Sequence, residues 1–172
     1  SDLTITGEVS SRMTVRQTAI FNGEETPLAE AHAATEMTLE GAINNPAPWH
    51  SNSANLYLIR TELFEGDELL DTHEVKVGFR SAEFRTDGFY LNGEKLKIRG
   101  LNRHQSYPYV GYAMPKSMQE FDADVLKGEL GLNAVRTSHY PQSHHFLNRC
   151  DEIGLLVITE IPGWQHIGDE EW

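Results

Sequence analysis

The fold of the second half of the chain is decided by residues 132–160, LNAVRTSHYPQSHHFLNRCDEIGLLVITE. LNAVR at one end predicts a short buried strand, and LLVITE at the other is an apolar strand without any polar alternation. Between them SHHFLNRCDEI predicts a helix, which Gly154 closes. Continuous apolar strands separated by a helix predict a parallel sheet whose faces are covered.

The residues before this stretch extend the same pattern upstream. DGFYLNGEKLKIRG predicts a β-hairpin, because Asn92 and Gly93 supply the positive φ values of a type I′ turn between two apolar runs. The second run continues into IRGLN, which predicts the first strand of the parallel sheet. The pair Ser117 and Glu120 then predicts a capping box for a helix that ends near Gly131. The apolar face of that helix is predicted from the spacing of Met118, Phe121, Val125 and Leu126.

Residues 85–172 therefore predict strand, helix, strand, helix, strand. This order fits either a small open α/β layer or the beginning of a (β/α)₈ barrel. Polar clusters favour the barrel, because NRHQ follows the first strand, RTSHYP the second and EIPGWQH the third. Active sites of such barrels lie at the carboxyl ends of the strands, so three successive clusters are expected on one rim.

Residues 1–84 predict a different, all-β domain. Short alternating segments recur with turn signals between them, which is typical of an antiparallel sandwich of immunoglobulin type. Trp49 lies in a Pro-rich stretch and is expected in a loop of this sandwich. The predicted strand segments are LTITGEVSSR, MTVRQTAIF, EMTLEGAI, NLYLIRTELFEG and HEVKVGFR.

Composition narrows the class of protein. The chain has 172 residues, a net charge of -12 and a pI near 5.0, so neither nucleic acid nor an anionic membrane surface is an expected partner. No apolar run is long enough for a membrane span. The single cysteine, Cys150, excludes an intramolecular disulfide and is expected to be a core thiol. The compartment stays open between cytoplasm and periplasm.

The stretch NAVRTSHYPQSHHFLNRCDEIGLLVITE resembles the signature of glycoside hydrolase family 2, the β-galactosidase and β-glucuronidase family. DGFYLNGEKLKIRGLNRH resembles the beginning of the barrel in these enzymes, and NLYLIRTEL with VGFR resembles the end of the preceding immunoglobulin-like domain. The resemblance implies a multidomain β and α/β chain. Residues 1–84 would be an immunoglobulin-like β-sandwich, and residues 85–172 the first strands and helices of an incomplete TIM barrel.

The resemblance also implies a chemistry. Family members are retaining exo-glycosidases, in which one carboxylate attacks the anomeric carbon and a second carboxyl group, roughly 5 Å away, protonates the leaving oxygen. Both glutamates come from later barrel strands. We therefore expect no catalytic residue in this chain, no turnover by the chain alone, and a longer parent enzyme of carbohydrate metabolism.

The resemblance implies roles for several strand-end residues. Arg136 would bind the nucleophilic carboxylate bidentately and keep it ionised. His139 and His104 would donate hydrogen bonds to sugar hydroxyls, with Asn102 and Arg103 as further candidates beside them. Family members often carry an acid directly after the first histidine, whereas this chain has Gln105.

Three residues at the third strand end complete the set. Glu160 alone would suggest a catalytic acid, but the resemblance implies a supporting role behind the substrate contacts. His166 matches a histidine of a magnesium site in some β-galactosidases, yet the glutamate two residues earlier is replaced by Trp164. An indole supplies no oxygen ligand, so no metal is expected in these 172 residues, whereas a divalent metal elsewhere in the parent enzyme stays open. Trp164 is instead expected either to stack on a sugar or to pack at the rim.

The substrate prediction is a terminal β-galactoside, because Arg103 in NRH is closer to the galactosidases than to the glucuronidases, which tend to have Lys there. β-Glucuronidase and β-mannosidase remain alternatives, as does a non-catalytic carbohydrate-binding module. Three barrel strands leave an open edge and an uncovered apolar face. We therefore expect self-association of the isolated chain, or a homo-oligomeric parent.

Overall fold

A computed structural model describes residues 2–6 and 8–163 of the chain. It divides into two compact units. The first contains residues up to Ala47 together with Leu56–Phe79, and the second contains Pro48–Asn55 and the residues from Arg80 onward. Most of the regular structure is β-sheet.

The strands before residue 80 are, in chain order, β1 (Asp2–Thr4), β2 (Met13–Phe21), β3 (Glu24–His32), β4 (Glu36–Thr38), β5 (Trp49–His50), β6 (Ser53–Ala54), β7 (Tyr57–Glu65) and β8 (Glu68–Val77). In the first unit β3, β2, β7 and β8 form an antiparallel sheet in that order, and β1 pairs with β4. The antiparallel β character predicted for this half is confirmed. Its immunoglobulin topology stays a prediction.

Tight turns and one aromatic cluster organise the first unit. Asn22 and Gly23 have φ values of 51° and 83°, which join β2 to β3 by a two-residue turn. The Tyr57 ring stacks on Phe21 with centroids 4.4 Å apart, and meets the edge of Phe79 at 5.1 Å. Such aromatic pairs contribute packing beyond the area that they bury.

Strand β3 is absent from the predicted strand segments. It contains Pro27, which lies beside a bulge between Gln17 and Thr18 of β2. A proline lacks the N–H that a central strand must donate, so it lowers the strand signal. Proline is tolerated here because β3 is the edge strand of its sheet.

The prediction that Trp49 lies in a loop of the first unit is wrong. Trp49 lies in the second unit, on the short hairpin of β5 and β6, and is 1% exposed. Its Nε1 donates to the Asp151 carbonyl oxygen at 2.7 Å, and the Arg80 guanidinium lies 5.0 Å from its ring centroid. These contacts span a long stretch of chain, so the local Pro-rich pattern could not reveal them.

The regular elements after residue 80 are β9 (Ala82–Arg85), β10 (Gly88–Leu91), β11 (Glu94–Leu96), β12 (Gly100–Arg103), α1 (Lys116–Asp124), a π-helical turn (Val125–Glu129), β13 (Ala134–Thr137), α2 (His144–Ile153) and β14 (Leu156–Ile158). The predicted hairpin is confirmed: Asn92 and Gly93 have φ values of 52° and 81° between β10 and β11. Strand β9 adds a third antiparallel strand to it.

The predicted parallel sheet is also confirmed, with the strand order β12, β13, β14. Helix α2 begins after Ser143, whose hydroxyl accepts from the His145 N–H, and ends at Gly154 with φ 76°. Its buried Phe146 and Cys150 pack with Val135 of β13 in one apolar cluster. The outer edges of β12 and β14 have no further strand partner among the described residues.

The predicted start of α1 was wrong, and its predicted buried face was right only in part, since Leu126 packs against the apolar cluster that contains Phe146 and Cys150. The helix begins at Lys116, and no side chain caps it, so Ser117 lies inside the first turn. Phe121 is 52% exposed, whereas Gln119 is buried. Gln119 takes the inner face because its Oε1 accepts a hydrogen bond at 2.9 Å from the buried guanidinium of Arg103.

No helix in the described part of the chain is long and apolar enough to cross a membrane.

Candidate functional site

The parallel sheet brings the predicted site residues to one edge. Asn102, Arg136 and Ile158 lie in one row across the three strands. His104 follows β12, His139 follows β13, and Glu160 follows β14 within two residues of its last position. Because parallel strands share the direction of their carboxyl ends, these residues meet at the same rim.

Glu160 joins two of the strand ends through its carboxylate. Oε1 accepts a hydrogen bond from Arg136 Nε, and Oε2 lies 3.3 Å from His139 Nδ1. A carboxylate only accepts, so the second contact requires the proton on His139 Nδ1. The Glu160 backbone N–H donates to Thr137 Oγ1 at 3.2 Å, which ties the backbone of this residue to the end of β13. Both Glu160 oxygens are therefore engaged by neighbouring side chains.

Arg136 is only partly used by this contact. Its side chain is 43% exposed, and among residues 2–6 and 8–163 its hydrogen bonding is confined to the Nε donor facing Glu160. The two terminal nitrogens of the guanidinium are thus available to a planar acceptor such as a carboxylate.

His104 and His139 form a pair of rings at the rim. Their centroids are 5.6 Å apart and the rings are inclined by 70°, and Tyr140 lies 6.4 Å from His104. The His104 side chain is exposed, as is Asn102 on the last part of β12. The structure thus places the predicted residues Asn102, His104, Arg136, His139 and Glu160 on the same edge. Their contact with a sugar stays a prediction.

Arg103, a further candidate in the sequence analysis, is turned away from the rim and is not available to a substrate. It is 6% exposed, and its guanidinium donates to Asp122 Oδ2 at 2.7 and 3.0 Å and to Gln142 Oε1 at 2.5 Å. The guanidinium also stacks 3.9 Å from the Phe146 ring centroid. Strand alternation explains the difference, since Arg103 follows Asn102 and faces the helices.

No role was predicted for Gln105 or Gln142, which link the loops at the rim. Gln142 donates from Nε2 to the Arg103 carbonyl oxygen at 2.7 Å, and Gln105 Oε1 accepts from the Ser143 N–H at 2.6 Å. The only local signal was the position of these polar residues directly after predicted strands.

Trp164 and His166 lie outside the described residues, so their predicted roles stay predictions. Among the described residues no group of three or more His, Cys, Asp or Glu side chains is arranged to hold a metal ion.

Cys150 is predicted to be chemically inert in the folded protein. Burial, with a smaller contribution from the nearby Asp151 charge, raises the pKa of the Cys150 thiol to about 12. At pH 8 only about one thiol in 10,000 would then be a thiolate, and the thiolate is the reactive species. We expect iodoacetamide labelling at pH 8 to be at least about 1,000-fold slower in native protein than in urea. Equal labelling rates in both solvents would contradict the buried position.

Both halves of the chain match models of one enzyme family. Residues 82–170 match the model of the family described as Glycosyl hydrolases family 2, TIM barrel domain, and residues 1–80 match the one described as Glycosyl hydrolases family 2. A β-galactosidase of Thermoanaerobacter pseudethanolicus is 59% identical over 138 residues, which cover 80% of this chain and 19% of the relative. A β-galactosidase of Thermoanaerobacterium thermosulfurigenes is 64% identical over 124 residues, covering 72% and 17%.

The chain is also similar to a solved structure, the apo form of Bacteroides uniformis β-glucuronidase 3. The TM-score is 0.80 at 32% sequence identity, covering 98% of this chain and 21% of the other. The chain thus spans about a fifth of the length of the relatives that it matches. The resemblance recognised in the sequence is confirmed, and the chain belongs to glycosyl hydrolase family 2.

Proposed function

We propose that this chain is part of a retaining exo-glycosidase that hydrolyses terminal β-galactosides. In this proposal the first unit is the immunoglobulin-like domain, and the second is the beginning of a (β/α)₈ catalytic barrel. Family membership and the two β-galactosidases at 59% and 64% identity support it. Because the chain spans about a fifth of those relatives, the activity would belong to the whole protein.

The observation that carries the proposal is the contact of Arg136 and His139 with one carboxylate, Glu160, at the carboxyl ends of β13 and β14. Retaining hydrolysis needs an ionised carboxylate as nucleophile. The terminal nitrogens of Arg136 would bind that carboxylate as a planar fork, which favours its charged form. Glu160 would hold Arg136 in the required orientation.

The two histidines and Asn102 would contact the sugar. Their ring nitrogens and the amide group suit the hydroxyl groups of a pyranose, which both donate and accept hydrogen bonds. A hydrogen bond that strengthens as the ring distorts toward the transition state would increase the rate and not only the affinity. Rings 5.6 Å apart lie at a spacing that allows both histidines to contact one sugar.

Glu160 would not itself be the acid or the nucleophile. Both of its oxygens already have cationic or N–H partners from β13 and the loop after it. A general acid must instead present its proton to the leaving oxygen. The two catalytic glutamates would come from parts of the whole protein outside these 172 residues.

A β-glucuronidase is the second candidate, favoured by the likeness to solved β-glucuronidases at about 30% identity. β-Mannosidase and a non-catalytic carbohydrate-binding module are the remaining alternatives. A glucuronide carries a carboxylate that a galactoside lacks, so the two substrates place different demands on the site.

The test is an assay of the full-length protein against nitrophenyl β-galactoside, β-glucuronide and β-mannoside. We expect turnover of the galactoside to exceed that of the other two by at least about tenfold in kcat/KM, and the released sugar to keep the β configuration in NMR spectra taken during the reaction. Preferred cleavage of the glucuronide would establish the second candidate. Binding of galactose without turnover of any glycoside would establish the binding module.

A further inference from the structure

The loops after β12 and β13 are tied together by four hydrogen bonds between residues 103–105 and residues 140–143. The Gln105 N–H donates to Tyr140 Oη at 3.0 Å, and the Ser143 N–H donates to Gln105 Oε1 at 2.6 Å. Arg103 Nη1 donates to Gln142 Oε1 at 2.5 Å, and Gln142 Nε2 donates back to the Arg103 carbonyl oxygen at 2.7 Å. Both backbone and side-chain groups take part.

His104 lies between the two tied residues and makes no side-chain hydrogen bond of its own among the described residues. A tight turn follows it, since the Ser106 N–H donates to the His104 carbonyl oxygen at 2.9 Å. Its ring nevertheless stands at a defined 5.6 Å from His139. The ring packs against His139 and Tyr140, and the backbone on either side fixes the Cα position from which it does so.

We propose that Gln105 is a positioning residue of the sugar site. Its Oε1 bond to the Ser143 N–H and its N–H bond to Tyr140 Oη hold His104 beside His139. Ser143, which donates to Oε1, is the N-cap residue of α2. The loop after β12 is therefore anchored to the start of a packed helix. The expected effect of Gln105 on turnover rests on the proposed function. Its expected effect on the distance between the His104 and His139 rings does not.

The Gln105 side chain acts only as an acceptor here: Oε1 accepts from the Ser143 N–H, and the amide nitrogen has no partner among the described residues. A glutamate has the same oxygen at the same reach, so Gln105→Glu keeps the bond. Gln105→Leu has a similar volume and removes it. The pair therefore separates loss of the acceptor from a change in charge or size.

The experiment measures kcat and KM of the full-length enzyme for nitrophenyl β-galactoside. We expect Gln105→Leu to lower kcat/KM by about 10- to 100-fold, because misplacing a contact by about 1 Å has effects of that order. Gln105→Glu should stay within about threefold of wild type. In a His104→Ala background Gln105→Leu should add less than about a twofold loss, because residues that act through one group are not additive.

Tyr140→Phe and Tyr112→Phe form a matched pair. Both remove one hydroxyl from neighbouring rings, which are 6.2 Å apart, but only Tyr140 Oη accepts a hydrogen bond from Gln105. We expect Tyr140→Phe to lower kcat/KM by about 3- to 10-fold and Tyr112→Phe to leave it unchanged. Equal effects of the two substitutions would overturn the role given to the Tyr140 hydroxyl.

If Gln105 had only a structural role, Gln105→Leu would lower kcat/KM by the same factor in wild type and in the His104→Ala background. That result, or no loss of kcat/KM in Gln105→Leu, would overturn the proposal. Absence of turnover in the wild-type enzyme would instead overturn the proposed function. A crystal structure of full-length Gln105→Leu then decides the positioning role directly. A His104–His139 separation changed by about 1 Å or more supports it, and an unchanged 5.6 Å overturns it.

Discussion

Arg136→Ala in the full-length protein is expected to lower kcat/KM of the proposed activity on nitrophenyl β-galactoside by about 100- to 1,000-fold. This corresponds to roughly 2.7–4 kcal/mol, the range found when one preorganised charge-stabilising donor is removed from an active site. Two effects combine in this variant. The attacking carboxylate loses the proposed guanidinium fork, and Glu160 loses the partner at its Oε1.

Arg149→Ala is the matched control for this variant. Arg149 is also ion-paired, to Asp124 at 2.8 Å and Glu152 at 3.3 Å, but on the outer helices rather than at the strand ends. We expect its activity to equal that of wild type. Arg136→Lys should recover only part of the loss, since a point charge cannot reproduce a planar fork.

Wild-type activity in Arg136→Ala would contradict the proposed contact with the nucleophile. Glu160→Gln provides the second check. We expect a partial loss from it, because the amide still accepts one hydrogen bond. Complete loss in Glu160→Gln together with only partial loss in Arg136→Ala would make Glu160 the catalytic acid.

Arg103→Met is expected to destabilise the second unit by about 3–5 kcal/mol, the usual effect of breaking a buried ion pair from one side. The substitution keeps much of the apolar stem over Phe146 but leaves three acceptor side chains without their donor. These are Asp122, Gln119 and Gln142. Gln119 and Gln142 are buried, so the desolvation of their freed oxygens is no longer offset, whereas the Asp122 side chain is 25% exposed and is partly hydrated.

Hydrogen exchange followed by mass spectrometry on the full-length protein measures this effect locally. Peptides covering Lys116–Asp124 and His144–Ile153 should lose protection by about 100- to 1,000-fold or more, consistent with that free energy. Arg149→Met is the control, with a side chain 34% exposed and an expected change below about 1 kcal/mol. Similar losses of protection in Arg103→Met and Arg149→Met would contradict the larger contribution to stability that is assigned to the buried Arg103.

Much of the local structure was predictable from neighbouring residues. The turn at Asn92-Gly93 and the end of α2 at Gly154 depend on backbone dihedrals and short-range hydrogen bonds, and both are confirmed. The order of strands and helices after residue 100 was predictable for a similar reason. Continuous apolar runs can be buried only when helices cover both faces of a sheet.

The failures share a different cause. Phe121 was predicted on the inner face of α1 from its hydrophobicity, yet Gln119 occupies that face because Arg103 needs an acceptor there. Trp49 was expected in the first unit, yet its Nε1 donates to Asp151, which is 102 residues away in the chain. In both cases a polar partner distant in sequence overrides the local pattern.

The candidate site shows the same division. The sequence by itself determined which residue types stand at the strand ends: Arg136, His139 and Glu160 each follow an apolar strand, and their chemistry suits a sugar and a carboxylate. Only the tertiary structure decided that Glu160 joins Arg136 to His139, and that Arg103 turns inward while His104 stays on the rim. The physical reason is that side-chain type is a local property. Hydrogen-bond partners across a parallel sheet, here 24 residues apart for Arg136 and Glu160, depend on strand register and on which face each residue takes.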